Sequence, residues 1–384
     1  MILAPAHITG PWRSAAARPK GIMLKKSQLK GYLLEEALAW LLRNSGYRLL
    51  TRKSDDRAEL TTSQDGSLAV RGRGAQHQVD VLGQFAFAPA FSLPVRMFLE
   101  AKSHSQRCGL SIVRNAHGVI HDVNQNFAIP ELRQAAGHDH GIVRPRRRYH
   151  YVYTLFSTSG FTKDAQRYAL AHQISLVDLS GDSFAWLRDR TAKAADLLYH
   201  VGIQAGIARF PVNWLRGVLR EAFGTADAPD PDYIRLNAPG FEDTALPIVR
   251  GFVTRITDHI GAEILLGFPE APFVIPLVTT DVPQFLRYAR ARPTHAVRLR
   301  HSGHNDDAEW SVTPVGSEPG YRLTFKLARE IEEWISEVED DERARTISVK
   351  REFLPSITIY RARPDGGVDT YQLKYTWEGR SSAG

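Results

Sequence analysis

The chain has 384 residues, of which 43% are hydrophobic and 24% are charged, and its formal net charge is +7. This length and apolar content allow two or three domains with complete cores. The single cysteine, Cys108, excludes a disulfide within the chain and favours a reducing cytoplasm. No apolar run reaches the length of a membrane span, so we expect no membrane partner. Residues 1–24 are expected to form a flexible N-terminal segment.

Charge is divided unevenly along the chain. Residues 1–205 hold 27 lysines and arginines against 16 acidic residues, a net charge of +11, whereas residues 206–384 hold 22 against 26, a net charge of −4. A basic half is typical of proteins that bind a polyanion, because counterions released from the polyanion drive association. The densest part is Arg144-Pro145-Arg146-Arg147-Arg148.

The first predicted element is a helix from Leu29 to Asn44. Leucines recur along one side of it, and Gly46 follows its end, where glycine commonly stops a helix. The helix carries two adjacent glutamates, Glu35 and Glu36. They lie about 100° apart around the axis, so only one of them can face a given site.

Two charged motifs then interrupt apolar stretches of strand type. The first is Gln78-Val79-Asp80-Val81 and the second is Leu99-Glu100-Ala101-Lys102. Side chains alternate along a strand, so Glu100 and Lys102 share a face while Ala101 points into the core. Burying such charges costs several kcal/mol each unless they are paired or bind metal. If the two strands pair, Asp80 joins Glu100 and Lys102.

The remaining N-terminal elements follow in order. We predict a helix over 109–120, a buried strand over 149–157, a Thr158-Ser159-Gly160-Phe161 turn, a helix to about 172, a strand over 174–179 and a helix over 182–200. Beyond a polar connector at 224–240 we expect strands at 246–256, 263–268, 273–278, 296–300, 309–315, 346–349, 356–363 and 369–377, with helices at 282–291 and 325–339.

These motifs and their order resemble the Mrr-type branch of the PD-(D/E)xK nuclease superfamily over residues 25–190. The resemblance implies an α/β, restriction-endonuclease-like domain at 25–205, with a mixed sheet flanked by helices. We expect a separate α+β accessory domain at 206–384. Val79 stands where the superfamily's name has proline, a change that Mrr-type members often carry. Glu35 occupies the position of the family's helix glutamate.

The resemblance implies a catalytic set of Asp80, Glu100, Lys102 and Glu35. Asp80, Glu100 and the backbone carbonyl of Ala101 would hold Mg²⁺ or Mn²⁺, since these hard cations prefer oxygen ligands. Lys102 would position a water or offset charge on the phosphate. The sequence leaves open the protonation state of Lys102 and whether one or two ions act.

Other residues are assigned to the nucleic acid or to the fold. Arg73, Arg146, Arg147 and Arg148 are candidate phosphate contacts. His77 and Gln78 either orient a metal-bound water or hydrogen-bond a neighbouring loop, and we favour the loop.

We therefore expect a metal-dependent DNA endonuclease. Restriction or antiphage defence is the expected setting, by analogy with the family. Two alternatives stay open: a nucleic-acid-binding protein that has lost turnover, and a repair nuclease. Whether the chain forms a homo-oligomer or works with a separate motor or sensor subunit also stays open.

Arg146→Ala combined with Arg147→Ala should weaken DNA binding and flatten its salt dependence, because fewer phosphates are neutralised. The measurement is the dissociation constant at several salt concentrations. An unchanged salt slope would show that these arginines face elsewhere.

Overall fold

The structure is a computed structural model that describes residues 25–63, 66–87, 91–126, 148–207, 210–226, 240–271, 273–279, 281–303, 308–316, 320–337 and 341–376. The expected flexible segment, residues 1–24, lies outside this range. The described helices are α1 (Lys26–Asn44), α2 (Leu110–Asn124), α3 (Lys163–Ala171), α4 (Ala185–Gln204), α5 (Val212–Phe223), α6 (Phe241–Glu263), α7 (Val282–Ala291), α8 (Arg329–Ser336) and α9 (Glu342–Glu352).

The strands form a five-stranded sheet, a three-stranded sheet and a closed barrel. Their bounds are β1 (Tyr47–Leu50), β2 (Leu60–Thr62), β3 (Leu68–Arg71), β4 (Gln76–Gln78), β5 (Val81–Phe85), β6 (Val95–Lys102), β7 (His150–Ser157), β8 (Ser175–Asp178), β9 (Ile264–Pro269), β10 (Ile275–Val278), β11 (Thr294–Ser302), β12 (Glu309–Pro314), β13 (Leu323–Phe325), β14 (Ser356–Ala362) and β15 (Val368–Tyr375).

The five-stranded sheet has the order β1-β5-β6-β7-β8. The pairs β1/β5 and β5/β6 are antiparallel, whereas β6/β7 and β7/β8 are parallel, so the sheet is mixed. Helix α2 lies between β6 and β7 in the chain, and α3 lies between β7 and β8, as parallel neighbours require. The chain is therefore a mixed α/β protein, as expected.

Helices cover both faces of this sheet. One face packs on α1, α4, α5 and α6, and its cluster includes Leu99 and Ala101 of β6. The opposite face packs on α2 and α3, and its cluster includes Phe98. Alternation along β6 sends neighbouring residues into different cores, which leaves Glu100 and Lys102 on the α2 side.

The hydrophobic contacts of α1 explain its place against the sheet. Its fully buried Leu29, Leu33 and Leu42 lie on different sides of the axis, because α1 is buried between the sheet and the later helices. Gly46 follows the helix with φ +84°, a left-handed conformation that glycine adopts without strain. The prediction of this helix is confirmed. Because α1 is packed on several sides, its neighbours fix its rotation and the direction of Glu35.

The second half is a closed barrel of seven described strands in the order β10-β13-β12-β11-β15-β14-β9. Its hydrophobic cluster includes Trp310 of β12 and Phe285 of α7, both 0% exposed. The helices α7, α8 and α9 lie in the same half of the chain. This half has the expected α+β character. The sequence did not indicate that its strands close into a barrel.

Two predicted strands are wrong. Residues 246–256 belong to α6, where Ala245, Val249, Phe252 and Ile256 are buried at helical spacing. Residues 346–349 belong to α9, of which Val349 is the buried member. Both segments contain β-branched residues, which favour strands locally. In α6, the packing of an apolar face with helical periodicity outweighs this local preference. The acidic helix expected at 325–339 is shorter, because Leu323–Phe325 forms β13.

The hydrophobic cluster under α1 extends past residue 205. It includes Trp214 and Leu219 of α5 and Phe252 of α6. The sheet and these later helices therefore share one core, and the domain boundary at 205 stays a prediction. No helix within the described ranges is long and apolar enough to cross a membrane.

A buried arginine joins the small sheet to the large one. Arg96 of β6 is 0% exposed and donates to Asp56 Oδ2 at 2.6 Å, to Gln84 Oε1 at 3.1 Å and to the Tyr151 hydroxyl at 3.0 Å. Burial raises the pKa of Asp56, but hydrogen bonds and charge from Arg96 outweigh burial and leave that pKa below its usual value. The pair is thus ionised and fully satisfied.

Arg96→Met should lower the free energy of unfolding by about 3–5 kcal/mol, because it leaves a partly buried carboxylate without its cation. The measurement is urea unfolding followed by circular dichroism. The matched control is Arg167→Met, which removes an exposed ion pair with Glu330 and should cost at most about 1 kcal/mol. Equal losses of unfolding free energy in both variants would contradict the role of Arg96 as the cation that compensates a partly buried carboxylate.

Candidate active site

The strands that carry Asp80 and Glu100 are paired. Val81 lies opposite Leu99 and Leu82 opposite Phe98, so the same register sets Asp80 opposite Glu100. Asp80 immediately precedes β5, and its Oδ2 accepts a hydrogen bond from the Ala101 backbone N–H at 3.3 Å. The two carboxylates are thereby held at one end of the strand pair.

Lys102 lies beside Glu100 on the same strand face. Its ammonium forms an ion pair with Glu100 Oε1, and both side chains are partly buried, at 24% and 18% exposure. The other oxygen of Glu100 accepts a hydrogen bond of 2.5 Å from the Tyr153 hydroxyl. Both oxygens of Glu100 are therefore oriented by neighbours, and the carboxylate has a fixed direction.

Sequence reasoning missed Tyr153. It lies on β7, where its ring stacks on Phe98 of β6 with centroids 5.5 Å apart. Burial, reinforced by the Glu100 charge, raises the pKa of Tyr153, so its hydroxyl remains a donor. The sequence does place this tyrosine within a predicted buried strand. Because a buried phenol needs a hydrogen-bond partner, that position could have indicated a polar contact in the site.

The charges of this group are strongly coupled. Burial and the Glu100 carboxylate raise the pKa of Asp80, while Lys102, the Ala101 N–H and Arg216 lower it, and the net shift is upward. Burial lowers the pKa of Lys102, but Glu100 and Asp80 outweigh it and raise the net value. Without a metal ion, the two carboxylates therefore favour the ammonium form of Lys102.

Glu35 reaches the site from α1. It is 7% exposed and forms an ion pair with Arg216 of α5. Its neighbour Glu36 is held by Arg216 at 3.2 Å and by Arg220 at 3.1 Å. Burial is the main cause that raises the pKa of Glu35, and the Asp80 charge adds to it. That Glu35 acts at the site stays a prediction.

Arg216 is a site residue that sequence reasoning did not find. It lies beyond residue 205, on a helix whose buried face includes Trp214, Leu215 and Val218. The signal was the spacing of Arg216 and Arg220, four residues apart on an otherwise amphipathic helix, which puts two guanidinium groups on one side. Only the packing of α5 on α1 shows that they meet Glu35 and Glu36.

Asp80 and Glu100 line a cleft between β4 and α2. Its other lining residues are Gln76, His77, Gln78, Val79, Leu99, Asn115, Val119 and Tyr153. Both carboxylates are therefore reachable from solvent on the side where a substrate would approach.

The donor set fits a hard divalent cation. Two carboxylates lie opposite each other, and each Mg²⁺ site in a protein commonly uses one or two carboxylates together with water. Burial and, after it, the Glu100 charge raise the pKa of Asp80, and a divalent cation would relieve the repulsion between the two carboxylates. Among the described residues no group of three or more His, Cys, Asp or Glu side chains is arranged to hold a metal ion. That Asp80, Glu100 and the Ala101 carbonyl hold a metal ion stays a prediction.

The predicted nucleic-acid contacts have different outcomes. Arg73 is exposed in the turn before β4, where its backbone N–H donates to the Asp122 carbonyl at 3.1 Å. Arg148 is exposed just before β7. Arg146 and Arg147 lie outside the described residues. A role in binding stays a prediction for all four.

His77 holds a loop, the role favoured from sequence. Its Nε2 lies 2.7 Å from Asp122 Oδ2 on α2, and the same carboxylate accepts hydrogen bonds from the backbone N–H groups of Gly74 and Ala75. The β3–β4 turn is therefore tied to α2 beside the cleft.

Glu35→Gln should flatten the pH dependence of stability. Burial raises the pKa of Glu35 from 4.5 to about 8, against the opposing effect of Arg216. The folded chain then keeps a proton that the unfolded chain releases, so stability is greatest below about 4.5 and is lost as the pH rises through about 8. Thermal unfolding midpoints across this range provide the measurement. The exposed Glu221→Gln is the control, and a wild-type slope in Glu35→Gln would refute the assignment.

Comparisons with known proteins identify no family for this chain. No family model matches the chain, and no curated protein matches it. One solved structure, described as that of a protein of unknown function, AF1548, is similar at 16% identity, with 58% of this chain and 98% of that chain covered and a TM-score of 0.29.

Proposed function

We propose that the chain is a divalent-metal-dependent endonuclease that hydrolyses phosphodiester bonds of DNA. The observation that carries the proposal is the meeting of Asp80 and Glu100 across paired strands, with Lys102 ion-paired on the same face. The order α1, β5, β6, α2, β7, α3, β8 agrees with a restriction-endonuclease-like core, which is part of the proposal. Restriction or antiphage defence is the setting that we propose by analogy.

Each residue has a distinct part in this chemistry. A Mg²⁺ or Mn²⁺ ion held by Asp80, Glu100 and the Ala101 carbonyl would supply positive charge to the phosphate and make a water more acidic. Lys102, as an ammonium, offsets negative charge that develops on the phosphate oxygens. Tyr153 keeps the Glu100 carboxylate in one orientation.

The surrounding charges keep this arrangement stable without substrate. Lys102 neutralises Glu100, and Arg216 neutralises Glu36 beside Glu35, whose raised pKa of about 8 keeps it mostly protonated at neutral pH. A loss of either cation would leave a carboxylate uncompensated, which costs several kcal/mol in a buried site. The catalytic groups are thus positioned by ion pairs from three elements, namely β6, α1 and α5.

The basic N-terminal half supports a polyanionic substrate. Its net charge of +11 attracts DNA before any specific contact forms. The net charge of −4 on residues 206–384 makes this half a poorer general DNA-binding surface, so we assign it to selectivity or control.

Asp80→Ala, Glu100→Ala and Lys102→Ala should each lower plasmid cleavage in Mg²⁺ or Mn²⁺ by at least about a hundredfold, because each removes a ligand or charge that acts at the phosphate. DNA binding should be largely kept. The control is Glu221→Gln, an exposed carboxylate on α5, which should cleave at the wild-type rate. Near-normal cleavage by any two of the alanine variants would overturn the site.

An assay of the wild-type chain distinguishes the proposed endonuclease from a nucleic-acid-binding protein without turnover. Cleavage that requires the added divalent ion supports an endonuclease. Binding of DNA without cleavage in either metal would indicate a nucleic-acid-binding protein that keeps the site but lacks turnover.

A further inference from the structure

One step of the proposed reaction has no side chain assigned to it. When a phosphodiester is hydrolysed, the departing oxygen takes the electron pair of the broken bond and needs a proton, which a positioned general acid can supply. In the proposed function, Asp80 and Glu100 would hold the metal ion, and Lys102 offsets charge on the phosphate oxygens. The group that protonates the departing oxygen is therefore expected among the other residues of the cleft.

His77 fits this role best. Apart from Asp80 and Glu100, the described residues that line the cleft include two with ionisable side chains, His77 and Tyr153. Tyr153 is 5% exposed, and its hydroxyl already donates to Glu100. The side chain of His77 is 18% exposed, and an imidazole gains and loses a proton near neutral pH, as a general acid must.

Asp122 of α2 fixes the imidazole. His77 Nε2 lies 2.7 Å from Asp122 Oδ2, and this hydrogen bond is the main cause that lowers the pKa of Asp122 below its usual value. An ionised carboxylate only accepts hydrogen bonds, so Nε2 carries the hydrogen of this contact. Gly74 and Ala75 donate their backbone N–H groups to the same carboxylate at 2.8 and 3.2 Å. The contact that holds the β3–β4 turn therefore also sets the tautomer and the direction of the imidazole.

The second ring nitrogen, Nδ1, is left for a substrate. It has no hydrogen-bond partner among the described residues. His77 points towards α2, and Glu100 and Lys102 lie on the α2 side of the large sheet, so the imidazole shares its cleft with the carboxylates. In an imidazolium, Nδ1 also carries a hydrogen and is a donor. A phosphodiester in this cleft would therefore meet both the carboxylates and a side chain that can donate a proton.

The charged groups around His77 suit a proton donor. Asp122 lies beside it on α2, and Asp80 and Glu100 line the same cleft. Arg71 of the paired strand β3 lies on the other side of the small sheet, because its cross-strand neighbour is not His77 but the residue before it. An ionised carboxylate next to an imidazole orients the ring and stabilises the imidazolium, as the aspartate of a Ser-His-Asp triad does.

We infer that His77 is a catalytic residue of the proposed reaction, the general acid that protonates the departing oxygen, and that Asp122 is its positioning residue. The inference rests on the proposed function. As the bond between phosphorus and the departing oxygen breaks, its electron pair stays on that oxygen, and the Nδ1 proton of the imidazolium passes to it. The attacking water forms the new bond to phosphorus and releases a proton to the solvent, from which the imidazole regains its own.

The test compares two substrates. End mapping of cut DNA shows which bridging oxygen departs, and a duplex is then made with sulfur at that position. A thiolate leaves without a proton, because a thiol is far more acidic than an alcohol. His77→Gln should lower the cleavage rate of ordinary DNA in Mg²⁺ or Mn²⁺ by about a hundredfold, which a general acid commonly contributes, and should cleave the sulfur duplex at the wild-type rate.

The controls separate catalysis from the holding of the turn. Glutamine keeps an amide N–H that can donate to Asp122, so His77→Gln should bind DNA in a chelator as the wild type does. His200→Gln, the same change at an exposed histidine of α4, should cleave both duplexes at wild-type rates. Asp122→Asn provides a second variant if His77→Gln does not fold, and its loss of rate on ordinary DNA should also disappear on the sulfur duplex.

The tautomer of His77 can be measured without metal or cleavage. In nitrogen NMR spectra of the full chain in a chelator, the neutral imidazole should carry its hydrogen on Nε2 and leave Nδ1 bare. A hydrogen on Nδ1 with a bare Nε2 would overturn the inference.

The cleavage results distinguish a failure of the inference from a failure of the proposed function. Wild-type rates of His77→Gln on ordinary DNA, or equal losses on both duplexes, would overturn the general acid and leave the endonuclease. No cleavage of either duplex by the wild type in Mg²⁺ or Mn²⁺ would overturn the proposed function, and the general acid with it.

Discussion

The candidate site depends on the repulsion between carboxylates that the fold brings together. Asp80 and Glu100 lie opposite each other, and the Asp80 charge also acts on Glu35. Burial makes each ionised carboxylate costly, and proximity makes the set costlier still. The fold sustains this arrangement with two cations, Lys102 from within the strand and Arg216 from α5. Hard divalent ions prefer oxygen ligands, so this group of carboxylates is where the proposed ion would bind.

Arg216 gives the second half of the chain a part in the candidate site. It lies beyond the part that resembles the nuclease family, yet it forms an ion pair with the helix glutamate of the site. The helix that carries Arg216 is held by Trp214 and Leu215 in the same hydrophobic cluster as α1. Because that packing is apolar and extensive, the guanidinium is held in place by the core and not by the ion pair alone.

The parts of the site that could be predicted are those set by local periodicity. Glu100 and Lys102 share a face because they are two residues apart in a strand, and the apolar periodicity of 29–44 indicates the helix that carries Glu35. Tyr153 and Arg216 could not be predicted with the same reasoning, because their contacts depend on strand order and on helix packing. The error at 246–256 has a related cause, since Val249, Phe252 and Ile256 favour a strand locally while their spacing matches a buried helix face.

Two kinds of contact connect the barrel to the sheet, and they differ in strength. Helix α6 packs on α4 and α5 and continues directly into β9, so an apolar core and the chain itself join the barrel to the layer that holds Arg216. On the other side, α3 meets α8 through the ion pairs of Lys163 with Glu333 at 2.5 Å and of Arg167 with Glu330 at 2.9 Å. Exposed ion pairs contribute little and weaken with salt. The α6 side therefore fixes the barrel relative to the layer that holds Arg216. On the α3 side, Leu170 packs against the barrel cluster and the Arg329 N–H donates to Gln166 Oε1 at 2.7 Å, so contacts other than the ion pairs hold that side as well.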